Sequence, residues 1–166
     1  MIKFGPWPIS HNEIFFNSAH SYGIVNIKPV VPGHVLVLPK RITSRFHDLS
    51  KEEVSDLWLS AQEIGKVIER EYAAESLTLT IQDGTSAGQT VPHVHIHIIP
   101  RIKGDWMDND EIYPTINHSE KEMKQELQKR AGPDNESRKP RSKEEMWAEA
   151  SRLKQFFKFY EDIWVN

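Results

Sequence analysis

The chain contains no cysteine. That absence excludes disulfides, thiolate catalysis and Cys-rich zinc sites, and it does not by itself locate the protein. Long hydrophobic runs are missing too. No stretch approaches the roughly 20 apolar residues that span a bilayer. The start, Met1-Ile2-Lys3-Phe4-Gly5-Pro6-Trp7-Pro8, has no extended apolar segment, so no secretory signal is expected. An excess of positive charge is also absent. The formal net charge is −3, which argues against a generally basic nucleic-acid surface. No internal repeat is found. What remains is ordinary for one soluble globular domain: 166 residues, 38% hydrophobic and 27% charged.

Against that background one run stands out: His93-Val94-His95-Ile96-His97-Ile98-Ile99. Strict alternation reads as a strand, because successive side chains point to opposite faces. Val94, Ile96 and Ile98 then face a core, and His93, His95 and His97 share the other face. Three readings compete. A merely solvated strand face is unattractive for three alternating imidazoles. A metal site needs the rings to converge, but alternate side chains stand about 6.6 Å apart and the outer two about 13 Å apart. Two of them with His34 or a carboxylate could still hold zinc. In the third reading the central imidazole is a nucleophile, its other nitrogen held by an acceptor, with flanking imidazoles moving protons. Gly88-Gln89-Thr90-Val91, just before the row, offers backbone N–H groups, an amide and a hydroxyl of the kind that bind phosphoryl oxygens.

The rest of the chain gives the frame. Glu13–Asn17 and Tyr22–Ile27 read as the start of a meander, residues 28–33 as a turn-rich connector, and His34–Leu38 as a strand ending at Pro39. Ser50 and Glu53 form a capping-box pattern before a helix reaching about Tyr72. Leu77, Leu79 and Ile81 alternate as a further strand. Residues 118–142 carry twelve charges in 25 positions and no aromatic residue. A short surface helix and then a mobile, solvated loop are expected there, with a lid over the site as the sharper alternative. Ser142 and Glu145 repeat the capping pattern before a last helix with Met146, Ala150, Leu153, Phe157 and Tyr160 on one stripe. The fold class is α+β: a mostly antiparallel sheet, a long helix after the third strand, and a C-terminal helix. Taken residue by residue, Asn26 reads as a strand end, Gln82 as a solvated edge residue and Trp7 as packing. His34 reads as a core histidine or a site residue, and His11, His20, His47 and His118 as structural or surface.

Residues 93–99 match the histidine-triad signature, His-φ-His-φ-His-φ-φ. Residues 26–37, 45–49, Gln82-Asp83-Gly84, 100–105 and 141–146 resemble the fragile-histidine-triad branch of that superfamily, over most of residues 2–160. The resemblance implies a single HIT domain across residues 1–166 with a charged insert at 118–142. It implies a dinucleoside polyphosphate hydrolase that cleaves diadenosine triphosphate to AMP and ADP through a covalent nucleotidyl-histidine. His95 would be the nucleophile and His97 would assist the leaving nucleotide. His93 and His34 would tune the cluster, and Asn26 would bind ribose. Gln82, Gly88, Gln89, Thr90 and Val91 would contact phosphate and substrate, with Trp7 near the nucleotide. A divalent cation, Mg²⁺ or Mn²⁺, would accompany the polyphosphate, with no tightly held protein metal. A homodimer with a continuous sheet is implied, with no nucleic-acid or membrane partner. The expected compartment is the cytoplasm, with nucleus or mitochondrion left open. The alternative function is a nucleotide-binding signalling module whose substrate-bound form is the active species. The chain lacks a Trp-Pro-Pro-Gly ending, which tells against the nucleoside phosphoramidase branch. It also places Pro92, which fixes φ and donates no hydrogen bond, directly before His93.

Overall fold

A computed structural model describes residues 1–130 and 141–157. A short hairpin, β1 (Lys3–Phe4) and β2 (Trp7–Pro8), precedes the main sheet. That sheet contains β3 (Ile14–Asn17), β4 (Ser21–Val25), β5 (Val35–Pro39), β6 (Ser76–Thr80) and β7 (Ile96–Arg101), in the order β3-β4-β5-β7-β6. Every adjacent pair is antiparallel. Helix α1 (Lys51–Glu71) joins β5 to β6, α2 (Ile112–Arg130) follows β7, and α3 (Lys143–Lys154) closes the described chain. This is the expected α+β architecture, with the long helix after the third strand of the sheet.

Register explains the two faces of the sheet. Gly23, Val37 and Ile96 lie opposite one another across β4, β5 and β7. They face α1: a Cβ on Gly23 would come within 2.9 Å of Ile64 Cδ1. On α1, Leu57, Ala61, Ile64 and Ile68 recur at helical spacing and are all fully buried. The neighbouring row, Ile24, Leu36 and His97, lies on the opposite face. There the histidines meet α2 rather than water.

Both capping boxes form. Ser50 Oγ accepts from Glu53 N–H while Glu53 Oε2 accepts from Ser50 N–H, and Ser142 and Glu145 repeat the exchange. The Arg41 guanidinium forks onto Glu53, and this pairing together with the Ser50 N–H holds that carboxyl down at about 2.

Two expectations need correction. The histidine strand begins at Ile96 and not at His93. Pro92 cannot donate, His93 N–H turns back to Val91 C=O, and Val94 N–H reaches Thr43 C=O in a loop. Residues 118–130 are helical, as expected for the first half of the charged stretch, but they are no short surface helix. They are the body of α2, which starts at Ile112 and buries Ile112, Ile116, Ser119, Glu120, Met123 and Leu127. Residues 131–140, expected as a loop, lie outside the described residues. Phe157 is buried against Phe15 and Phe16 as the stripe implied; Tyr160 lies outside the described residues. No described helix is long and apolar enough to cross a membrane.

Candidate active site

The four site histidines are buried, and three of them are held by backbone groups that settle their tautomers. Gly5 N–H donates to His93 Nδ1 at 3.1 Å, so His93 Nε2–H donates to the Pro39 carbonyl at 2.8 Å. Gly5 sits at φ +59°, and a Cβ there would come within 2.8 Å of Val91 Cγ1, so glycine is what lets the backbone approach the ring. Val30 N–H donates to His34 Nδ1 at 2.9 Å. His34 Nε2 therefore carries its proton and donates it to His97 Nδ1, also at 2.9 Å. That leaves the proton of neutral His97 on Nε2. His95 Nδ1–H donates to the His93 carbonyl at 2.7 Å, which aims Nε2 out of the cluster. The result is a short relay: a backbone amide, His34, His97, then an N–H on the side of the cluster where His95 Nε2 lies.

Burial lowers three of the four. It takes His93 down to about 4. Burial and the neighbouring His97 take His34 well below the ordinary imidazole range, and His97 is lowered by burial against the pull of Glu120. His95 is the exception. Burial opposes its charge, but the Glu120 carboxylate raises its pKa above the ordinary value through charge and a hydrogen bond. Burial alone would raise Glu120; pairing with His95, then His97, instead holds it far below the usual carboxylate range.

Glu120 is the residue that sequence reading missed. Its Oε1 lies 2.6 Å from His95 Nε2. The same oxygen lies 3.0 Å from His97 Nε2, without hydrogen-bond alignment. Its Oε2 lies 2.9 Å from Thr90 Oγ1 and 3.3 Å from Thr90 N. The His95 and Thr90 separations are those of hydrogen bonds. A tetrahedral zinc on His95, His97 and Glu120 would need its ligand atoms about 3.4 Å apart, given bonds of about 2.0–2.1 Å. A signal for Glu120 was present: Ile112, Ile116, Met123 and Leu127 keep helical spacing, and Glu120 falls on the same buried stripe.

The other expected residues divide. Asn26 is buried beside the relay, with Nδ2 3.3 Å from His34 Nε2 and Oδ1 accepting from Lys28 N–H. Thr90 reaches the cluster through Glu120. Gln89 does not present its amide to the site: Oε1 accepts from Gly84 N–H and Nε2 donates to the Ser44 carbonyl, so it braces the loop. Arg45 and Phe46 N–H hold Asp83 in the same brace. Gln82 donates to Asn117 of α2. Gly88, at φ +97°, sits where a Cβ would strike that pair. Val91 is a fully buried packing residue. Trp7 packs at the edge of the main core; it is Phe4 whose ring lies 5.0 Å from His95, edge-on, and 5.9 Å from His93.

An imidazole cluster with one outward nitrogen, an adjacent N–H donor and a buried relay behind it suits nucleophilic transfer with proton delivery to a leaving group. Comparison with known proteins identifies the family. Residues 9–104, more than half of the chain, match the HIT domain. The chain is 53% identical over 154 residues to a bis(5′-adenosyl)-triphosphatase of Dictyostelium discoideum, covering 93% of this chain and 91% of that one. It is 50% identical to a bifunctional bis(5′-adenosyl)-triphosphatase/adenylylsulfatase, FHIT, of Arabidopsis thaliana, covering 93% and 83%. The crystal structure of Plasmodium falciparum diadenosine triphosphate hydrolase, in complex with cyclomarin A, superposes with a TM-score of 0.61 at 33% identity, covering 76% and 86%. With its signature histidines gathered into one buried cluster and relatives matched over nearly their whole length, this chain belongs to the HIT domain family.

Proposed function

We propose that the protein is a dinucleoside polyphosphate hydrolase that cleaves diadenosine triphosphate to AMP and ADP by way of an adenylyl-histidine. The observation that carries this is the orientation of His95: Nδ1–H is fixed on the His93 carbonyl, so Nε2 is the one nitrogen able to attack. With α2 withdrawn, His95 Nε2 attacks the adenylyl phosphorus in line. The bond to the bridging oxygen breaks, and that oxygen takes the proton of His97 Nε2 as ADP leaves. His34 Nε2–H, donating to His97 Nδ1, keeps the His97 proton on the face where it is needed. Water then attacks the phosphorus, gives a proton back to His97, and releases AMP from His95. Thr90 N–H and Oγ1, which here meet a carboxylate, are suited to the same charged phosphoryl oxygens in both steps.

A divalent cation enters with the substrate. The cluster offers imidazoles, whereas Mg²⁺ and Mn²⁺ prefer oxygen, so the polyphosphate's own oxygens would hold the ion. Homodimerisation is supported by the open edge at β6 and by the exposure of Leu59 and Leu79. The experiment is product analysis with diadenosine tri- and tetraphosphate side by side. AMP and ADP from the triphosphate, lost in His95→Ala, support the reading. Nucleotide binding without turnover would favour a signalling module.

A further inference from the structure

The nitrogen assigned to attack is not free. Glu120 lies 2.6 Å from it, and the Glu120 side chain has no solvent exposure. A fully buried carboxylate is costly unless each oxygen is matched, and here both are: Oε1 by His95 and the nearby His97, Oε2 by Thr90. These are the groups to which the proposed mechanism gives the phosphoryl centre. An imidazolium paired in this way has no lone pair, so the contact disables the nucleophile chemically as well as sterically.

The same helix continues the occupation. One turn and two turns beyond Glu120, Met123 and Leu127 line a largely apolar crevice with Phe4, Ile24, Ile27 and Leu36, closed at its far end by the Glu13–Arg130 pair. Ile24 and Leu36 lie in one cross-strand row with His97, so crevice and imidazoles form one continuous surface. The helix thus presents an anion followed by apolar bulk to a cluster followed by an apolar crevice. A nucleotide offers the same two features in the same sequence, phosphate and then base. Besides the apolar packing of Ile112, Ile116, Met123 and Leu127, polar contacts tether α2. Ser119 Oγ donates to the Lys28 carbonyl, Asn117 accepts from Gln82, and Arg130 pairs with Glu13. Bonds of this kind can exchange with water when a competing ligand takes the groove.

We propose that α2 is an autoinhibitory segment whose Glu120 carboxylate stands in the phosphoryl site on His95, so that a docked α2 and a bound nucleotide exclude each other. The proposal rests on the hydrolase reading for the identity of that site. Substrate then binds only the fraction of molecules with α2 undocked, and the apparent KM is raised by the reciprocal of that fraction while kcat at saturation is untouched.

Two measurements test it. The first is amide hydrogen exchange across residues 112–130 with and without AMP at saturation, the saturation established by calorimetry. Ordinary ligand binding protects amides. Here AMP is expected to accelerate exchange throughout α2. Protection that is unchanged or increased by bound AMP would overturn the proposal, as would a helix unprotected before AMP is added. The second is steady-state hydrolysis of diadenosine triphosphate. Glu120→Ala is expected to lower KM by about tenfold or more with kcat within about threefold. Met123→Ser, which loosens the same helix without touching an imidazole, moves KM in the same direction. An unchanged KM in both folded variants would overturn the proposal. No product from wild type or variants, with AMP still accelerating α2 exchange, would refute the hydrolase reading and leave the mutual exclusion standing.

Discussion

Replacing His34 with alanine tests the relay behind the site. The imidazole joins two buried groups: it accepts from Val30 N–H and donates to His97 Nδ1, each at 2.9 Å. Alanine leaves both without a partner. At about 1–3 kcal/mol for each orphaned group, the folded state loses about 2–6 kcal/mol, the lower end applying if water enters the space. The functional loss is separate. Without a donor at Nδ1, His97 is free to take the other tautomer and turn its lone pair toward the bridging oxygen. Delivery of the leaving-group proton then fails, and such proton transfer is worth about 10²–10⁴ in rate. The assay is kcat and KM for diadenosine triphosphate beside denaturant unfolding. The expected result is a kcat at least about 10²-fold lower with KM within a few fold, together with a shift of the His97 ring nitrogens by ¹⁵N NMR toward the Nδ1–H tautomer. His34→Gln, which can still donate, recovers part of kcat. A folded His34→Ala protein with wild-type kcat and an unchanged His97 tautomer would refute the relay.

Other outcomes follow from the same geometry. His95→Ala removes the attacking nitrogen and lowers turnover by several orders of magnitude while AMP still binds; near-normal turnover in the folded variant contradicts the assignment. Gly5→Ala meets Val91 at 2.8 Å from a backbone at φ +59° and removes the His93 tether, so both stability and kcat fall. Leu57→Ala, on the face of the sheet away from the histidines, costs about 2–5 kcal/mol of stability and leaves kcat/KM unchanged. Docking of α2 depends on pH through both members of its ion pair. Glu120 is depressed, so its contribution is full above its unfolded pKa of about 4.3 and is lost as pH falls through the folded value. His95 is raised, so its contribution is full below about 6.5 and is lost as pH rises through the folded value. The facing groups, His97 on β7, His34 at the start of β5 and His93, are each lowered by burial, which favours their neutral forms. Exchange protection of α2 is therefore greatest between about pH 4.5 and 6.5 and declines toward alkaline pH; protection that increases above that window contradicts the pairing.

Much of this was written locally in the chain. Alternation over residues 93–99 separates Val94, Ile96 and Ile98 from the histidines, and the register of β7 bears that out, with Ile96 in the row of Val37 and Gly23 facing α1 and His97 in the opposite row with Leu36 and Ile24. Both capping boxes form where the Ser and Glu spacing puts them. The limits of the strand were less legible, because Pro92 and the Val91 turn withhold the ladder from His93 to His95 while leaving their side chains in alternation. Gln89 read as a phosphate ligand because an amide beside a glycine suits either role; only the fold shows both its ends spent on Gly84 and Ser44. Phe4 and Glu120 were hidden for a shared reason. Each reaches the histidines across a long stretch of sequence, and Glu120 sits in a charged run that resembles a solvated surface until its helical stripe is set against the sheet.

The central claim is that His95 Nε2 forms a bond to the adenylyl phosphorus. The measurement that bears on it most directly is the stereochemical course at that phosphorus, with a diadenosine triphosphate analogue made chiral there by sulfur and an oxygen isotope. Transfer to His95 and then to water comprises two in-line displacements, each inverting, so the account predicts AMP with retained configuration. Net inversion would mean that water attacks directly, with the histidines serving only as acid and base.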